Sequence, residues 1–239
     1  MALPFFYLTA YNPSETELTL DEDNSRHIVQ VLRMQPGDGL RLTDGRGNLL
    51  TAVITEDHKK KCRVRIGSVV RRPPPERKVT VAISLLKNAS RFEWFLEKAT
   101  EIGVSGIVPL LCERTEKQHA RIDRLRSILV SAMLQSQQAW VPEMPEPVAF
   151  SELLGRPQAG RRYIAHCLEA PRPTASLAEW RNRGDDRASQ LILIGPEGDF
   201  SPKEIEAALE NGFLPVTLGD NRLRTETAGV VAATLLCIG

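Results

Sequence analysis

Three consecutive prolines, Pro73-Pro74-Pro75, divide this sequence. Proline fixes φ and removes a backbone donor, so the run excludes a helix interior or a central strand here. It sits inside Arg71-Arg72-Pro73-Pro74-Pro75-Glu76-Arg77-Lys78, which reads as an extended interdomain linker. The hydrophobic period differs on its two sides. Upstream, Leu18-Thr19-Leu20, Leu40-Arg41-Leu42, Leu49 to Ile54 and Cys62 to Val70 are short alternating or β-branched runs separated by glycine-rich turns. They predict a small β-barrel, with one short helix over Asp23 to Val31. Downstream, apolar runs alternate with amphipathic stretches. Strands are predicted at Val79 to Leu85, Ile107 to Leu111, Tyr163 to Cys167, Leu191 to Ile194 and Pro215 to Leu218. Helices are predicted from Ser90 to Gly103, from Arg121 to Trp140, from the Ser201-Pro202-Lys203-Glu204 capping box to Asn211-Gly212, and from Thr225 onward. That alternation means an α/β domain with a mainly parallel sheet. The domains are therefore taken as 1–73 and 74–239.

Charge and cysteine usage narrow the classes. The 239 residues hold 31 Lys+Arg and 30 Asp+Glu, a net charge of +1. This excludes a nonspecific polyelectrolyte binder, yet basic residues cluster at Lys59 to Arg65, Arg71 to Lys78 and Arg222 to Arg224. Alternation puts Lys61, Arg63 and Arg65 on one face of a strand, either as a solvated face or as phosphate contacts; Arg26 and Arg33 flank the short helix. The cysteines (62, 112, 167, 237) and histidines (27, 58, 119, 166) show no metal-ligand spacing, so reduced thiols and no metal are expected. The uncharged run from Thr227 to Gly239 is shorter than the ~20 residues of a membrane span, and Met1 to Phe6 has no signal-peptide character. A cytoplasmic protein is the expectation.

In open α/β sheets, ligands bind beyond the carboxyl ends of strands. Two such ends stand out here. One is Gly195-Pro196-Glu197-Gly198-Asp199-Phe200. The other is Gly219-Asp220-Asn221-Arg222-Leu223-Arg224-Thr225-Glu226-Thr227-Ala228. Taken singly, each reads as a turn before a capped helix; together they place more polar side chain than turns require. A Walker phosphate loop, a strand-linked G-x-G-x-x-G and a G-x-S-x-G elbow are all absent, which disfavours a nucleotide-dependent enzyme unrelated to RNA.

Gly195-Pro196-Glu197-Gly198, Leu218-Gly219 and Leu223-Arg224-Thr225-Glu226-Thr227-Ala228 resemble the signature of the knotted SPOUT RNA methyltransferases. More narrowly, the chain resembles the ribosomal small subunit methyltransferase E family. His27 to Asp38 matches its H-x-x-x-V-L-R-x-x-x-G-D segment. Lys87 and Lys98 to Val104 match its K…K-A-T-E-L-G-V, and Gln135-Ser136 and Val141-Pro142-Glu143 its middle segment. Four positions depart from the family pattern, the first being Leu134, which stands for a glutamate. Gln138 stands for an arginine, Asp199 for a second glycine and Arg222 for an isoleucine.

The resemblance implies an N-terminal PUA-like barrel for RNA and a C-terminal trefoil-knotted α/β domain that forms a homodimer, through the Arg121 to Trp140 helix or the final helix. It implies methylation of N3 of a uridine in 16S rRNA with S-adenosylmethionine. Cofactor contacts are then expected from Leu168, Ile194, Gly195, Pro196, Glu197, Gly198, Leu218, Gly219, Leu223, Arg224, Thr225, Thr227 and Ala228. RNA contacts are expected from Arg26, His27, Arg33, Lys61, Arg63, Arg65, Lys87 and Arg91. Charge spreading onto uracil O2 and O4 calls for a cation such as Arg224, and N3–H for a base such as Glu197 or Glu226. Two structural roles compete with these: Glu226 as a helix N-terminal charge, and Arg224 as an ion-pair partner of Glu226 or Glu197. The alternative function is a non-catalytic RNA-binding or ribosome-assembly module on the same fold.

Overall fold

The two hydrophobic periods become two separate sheets. The computed structural model describes residues 3–157, 160–167, 175–177, 179 and 189–238. Packing divides the chain into Met1–Pro74 with Met133–Val141, and Pro75–Ala132 with Pro142–Gly239.

In the first unit the strands are β1 (Phe5–Tyr7), β2 (Glu17–Thr19), β3 (Gly39–Thr43), β4 (Asn48–Glu56) and β5 (Arg63–Arg71). They form one sheet in the order β1-β3-β4-β5-β2, parallel at β1·β3 and antiparallel elsewhere. Both end strands contribute to a single core, through Phe6 and Leu18, around Leu40, Leu42, Leu50, Ile54 and Val64. Strand alternation turns Arg63 and Arg65 outward on either side of buried Val64. The helix expected over 23–31 is split. Asp21 caps α1 (Glu22–Arg26) by accepting from the Asn24 N–H at 2.8 Å, and a π-helical turn follows over His27–Val31. That turn closes with Leu32 N–H on the His27 carbonyl, and Arg33 leaves it at φ 55°.

The second unit holds seven parallel strands: β6 (Val79–Ser84), β7 (Gly106–Leu111), β8 (Val148–Ala149), β9 (Arg161–Ala165), β10 (Ala175–Ser176), β11 (Gln190–Ile194) and β12 (Leu214–Thr217). Their order is β10-β12-β9-β11-β6-β7-β8. Every residue of β11 and all but one of β6 is buried, as central strands covered on both faces require. The helices are α2 (Ala89–Ile102), α3 (Ile122–Gln135), α4 (Phe150–Gly155), α5 (Pro202–Glu210) and α6 (Thr225–Cys237). On α2, Phe92, Phe95, Leu96 and Ala99 are buried, and Gly103 stops the helix at φ 102°.

One expected helix is corrected. The stretch from Arg121 to Trp140 is helical only as far as Gln135. Gln137 turns left-handed at φ 59°. Beyond it, Ala139 C=O accepts from Gly47 N–H at 2.8 Å, and Val141 N–H donates to Gly45 C=O at 3.0 Å. The Trp140 indole N–H reaches the Pro73 carbonyl at 3.0 Å. Pairing with a distant turn outweighs the local helix preference. Among the described residues no helix is long and apolar enough to cross a membrane, and no cluster of three or more His, Cys, Asp or Glu is arranged to hold a metal.

Candidate active site

Three neighbouring strands, β12, β9 and β11, end at the same edge of the sheet, because parallel pairing aligns their carboxyl ends. The loops that follow enclose a cavity of about 380 Å3 with the N-terminus of α6 and Arg91 of α2. Ile194, Pro196, Val216, Leu218, Leu223 and Ala228 supply apolar wall; Glu197, Asp199, Arg222, Arg224 and Glu226 supply charge.

The loop after β11 is held from several sides. Asp199 N–H closes a turn on the Pro196 carbonyl at 2.9 Å, and Asp199 itself is left-handed at φ 62°. Its Oδ2 accepts from Cys167 N–H, beyond β9, and its Oδ1 from Phe200 N–H, both at 2.8 Å. The Asp199 carboxylate thus ties two of the three strand ends together. A Cβ on Gly195 would stand 3.0 Å from the Phe200 nitrogen, so only glycine sits there without displacement. Glu197 Oε1 accepts from Lys87 N–H at 3.2 Å while its side chain faces solvent. On the opposite wall Gly219 takes φ 131°, and its N–H donates to Thr217 Oγ1 at 3.3 Å.

Two side chains are conspicuous for what they lack. Arg224 occupies the N-cap of α6, exposed, and its side chain makes no hydrogen bond or ion pair with any described residue. The His166 ring has both nitrogens shielded and without a partner among the described residues, and the residue lines the cavity. A buried polar group without a partner is costly, so a ligand that supplies one is favoured. Glu226, by contrast, is only 7% exposed and is paired with Arg91, Nε to Oε1 at 3.6 Å. That pairing removes the expected structural role of Arg224 as the partner of Glu226.

The cavity gathers Glu197, Arg224 and Glu226, with Ile194, Gly195, Pro196, Leu218, Gly219, Leu223, Thr225 and Ala228. Gly198 and Thr227 stand outside its lining: the Gly198 carbonyl accepts from Arg114 Nη1 at 2.7 Å, and Thr227 is half-buried on α6. Leu168 lies outside the described residues. Of the RNA-contact candidates, Arg91 reaches this cavity, and Lys87 pairs with Glu116 at 2.8 Å, which raises its pKa. Arg26, His27, Arg33, Lys61, Arg63 and Arg65 are all exposed in the first unit; Arg26 pairs with Glu22 at 2.9 Å and Arg63 with Glu56 at 3.6 Å. Sequence reasoning missed His166. The family resemblance implies a contribution from the strand end His166 to Glu169 as a whole, and nothing local distinguishes the histidine from Leu168.

Residues 73–237 match the family model described as RNA methyltransferase domain, and residues 20–67 the RNA methyltransferase PUA domain. A ribosomal RNA small subunit methyltransferase E from Synechocystis is 30% identical over 91% of this chain and 72% of its own length. The chain belongs to the ribosomal RNA small subunit methyltransferase E family. Solved structures agree with that membership. A probable rRNA-methyltransferase from Porphyromonas gingivalis superposes with TM-score 0.86 at 42% identity, covering 97% of this chain and 95% of that one. A family member from Neisseria gonorrhoeae, bound to S-adenosyl methionine, gives TM-score 0.84 at 29% identity over the same shares. The mixed sheet of the first unit is accordingly PUA-like, and the seven-stranded unit carries the methyltransferase architecture.

Proposed function

We propose that this chain transfers a methyl group from S-adenosylmethionine to N3 of one uridine in 16S rRNA. The observation that carries this reading is the cavity beyond β9, β11 and β12, apolar on one wall and holding Arg224 with no side-chain partner among the described residues. Its residues fit the cofactor. Gly219 leaves backbone open to a ligand, Ile194, Val216, Leu218 and Ala228 suit an adenine face, and the His166 nitrogens, without a partner among the described residues, suit a polar group.

Bound there, S-adenosylmethionine supplies a methyl carbon on a sulfonium, open to in-line attack. The protein's part is chiefly positioning, which is worth several orders of magnitude in rate. The target uridine leaves its stack to enter the cavity. As N3 gives up its proton, negative charge spreads to O2 and O4, and the Arg224 guanidinium, without a partner among the described residues, is a cation that can meet it. Glu197 is the accessible carboxylate and takes the proton. Glu226, buried and paired with Arg91, holds that arginine and the first turn of α6 in place.

The proposal extends to organisation. Residues 1–73 bind RNA and residues 74–239 carry out methyl transfer, within a trefoil-knotted domain that forms a homodimer in the cytoplasm. The test is nucleoside mass spectrometry of 16S rRNA incubated with protein and methyl-labelled S-adenosylmethionine. Labelled 3-methyluridine at one position is the expected product. Cofactor binding with no labelled nucleoside would replace the enzyme with an RNA-binding module.

A further inference from the structure

A second cavity, of about 250 Å3, opens beyond the C-terminal end of β6. The first turns of α2 divide between the two cavities: Arg91 lines the first, while Ala89, Phe92 and Glu93 line the second. The second has an apolar floor of Leu85, Leu86, Phe92 and Leu125, all buried. Its rim is cationic. Arg124 donates to both oxygens of Glu93, Nε at 2.6 Å and Nη2 at 2.8 Å, and this pairing is the largest of the influences that lower the Glu93 pKa. The side chains of Lys117, His119 and Arg121 make no hydrogen bond or ion pair with any described residue. Lys117, Arg121 and Arg124 therefore face a single carboxylate.

A recess that is apolar below and positive at its mouth suits a ligand with a flat apolar face and an attached anion. A nucleotide has that form, its base offering a π-face and its phosphate a charge that lysine and arginine bind. We infer that this cavity receives an unpaired nucleotide of the substrate RNA next to the target uridine, its base over the Leu86 and Phe92 floor and its phosphate on Lys117 and Arg121. The inference rests on the methyl-transfer reading, since it places the same RNA strand across two cavities served by one helix. It adds a subsite that anchors the strand beside the nucleotide that reaches Arg224.

Two variants test it from different sides. Lys117→Ala/Arg121→Ala takes both phosphate-binding cations away, one from a half-buried and one from an exposed position. Ala89→Trp, at the exposed start of α2, fills the mouth without altering charge. Steady-state methylation of 16S rRNA and calorimetric binding of S-adenosylmethionine are measured for each. Both variants are expected to raise KM for RNA by about tenfold, the effect typical of one stacked or phosphate-bound nucleotide. Values of kcat and of cofactor Kd should remain within about twofold of wild type. The double variant should also flatten the salt dependence of RNA binding, by about 0.7 in log–log slope for each phosphate that is no longer neutralised, and Ala89→Trp should not. An RNA KM within about twofold of wild type in either variant, with cofactor binding intact, overturns the subsite. A wild-type protein that forms no 3-methyluridine overturns the function instead, and that result is read before any variant is compared.

Discussion

Arg224 shows how far a residue's role follows from what surrounds it. Glu226, two positions on, is committed to Arg91 and leaves Arg224 as a cation without a described partner at the cavity edge. Its removal should cost chemistry rather than fold. Arg224→Ala is expected to lower single-turnover methylation by about 10²–10³-fold, the range for deleting one charge-stabilising group. Thermal unfolding should stay close to wild type, because the side chain is exposed and bonds to no described residue. Near wild-type rates would remove Arg224 from the catalytic set. The motif was legible at this scale because strand ends and polar density point to it. Asp199 was legible only as a departure from a glycine. Sequence does not say that its backbone is left-handed, nor that its carboxylate joins the loop to Cys167; both depend on which strands are neighbours. His166 and Leu168 illustrate the same limit, since a strand end is visible in sequence while the direction of each side chain beyond it is not.

Elements defined by local chemistry were read well, and those made by distant pairing were not. Ser201-Pro202-Lys203-Glu204 carries its own start signal, and both halves of the capping box form. Ser201 Oγ accepts from Glu204 N–H at 3.4 Å and donates to Glu113 Oε2 at 2.8 Å. Glu204 in turn accepts from the N–H groups of Ser201 at 2.9 Å and Glu113 at 2.8 Å. Ser201→Ala should therefore destabilise the protein by about 1–2 kcal/mol, an N-cap loss augmented by loss of the Ser201–Glu113 hydrogen bond. Urea titration should show a lower midpoint with an unchanged slope; an unshifted midpoint would mean that α5 is held by packing alone. Short β1, β8 and β10 have no such signal, and each exists as a strand because a longer neighbour offers a free edge. The early end of α3 belongs with them: the turn at Gly45 and Gly47, far away in sequence, claims the backbone of residues 139–141.

Across the whole molecule, composition limited the classes while strand order lay beyond it. A continuous apolar run marks β11 as central, yet nothing in it says that its neighbours are β6 and β9, and that adjacency creates the cavity. The dispersed cysteines read simply as reduced thiols, and the structure gives three of them a consequence for stability. Burial is the main cause that raises the Cys62 thiol pKa, and burial likewise pushes Cys112 up to about 12 and Cys237 up to about 11. An unfolded thiol ionises near 9.0. Below that value both states hold the proton and stability does not depend on these groups. Above it the unfolded chain releases protons that the folded chain keeps, so unfolding is favoured as pH rises. For Cys237 the loss spans about pH 9–11 and for Cys112 about pH 9–12, each at a limiting slope of about 1.4 kcal/mol per pH unit. Urea midpoints should hold steady from about pH 7 to 8.5 and fall steeply above 9. Cys112→Ala should lower the midpoint at neutral pH, by loss of packing, while making the alkaline fall shallower. A variant whose alkaline slope matched wild type would assign that fall to other groups, because packing loss lowers the curve at every pH and only a lost titration changes its slope.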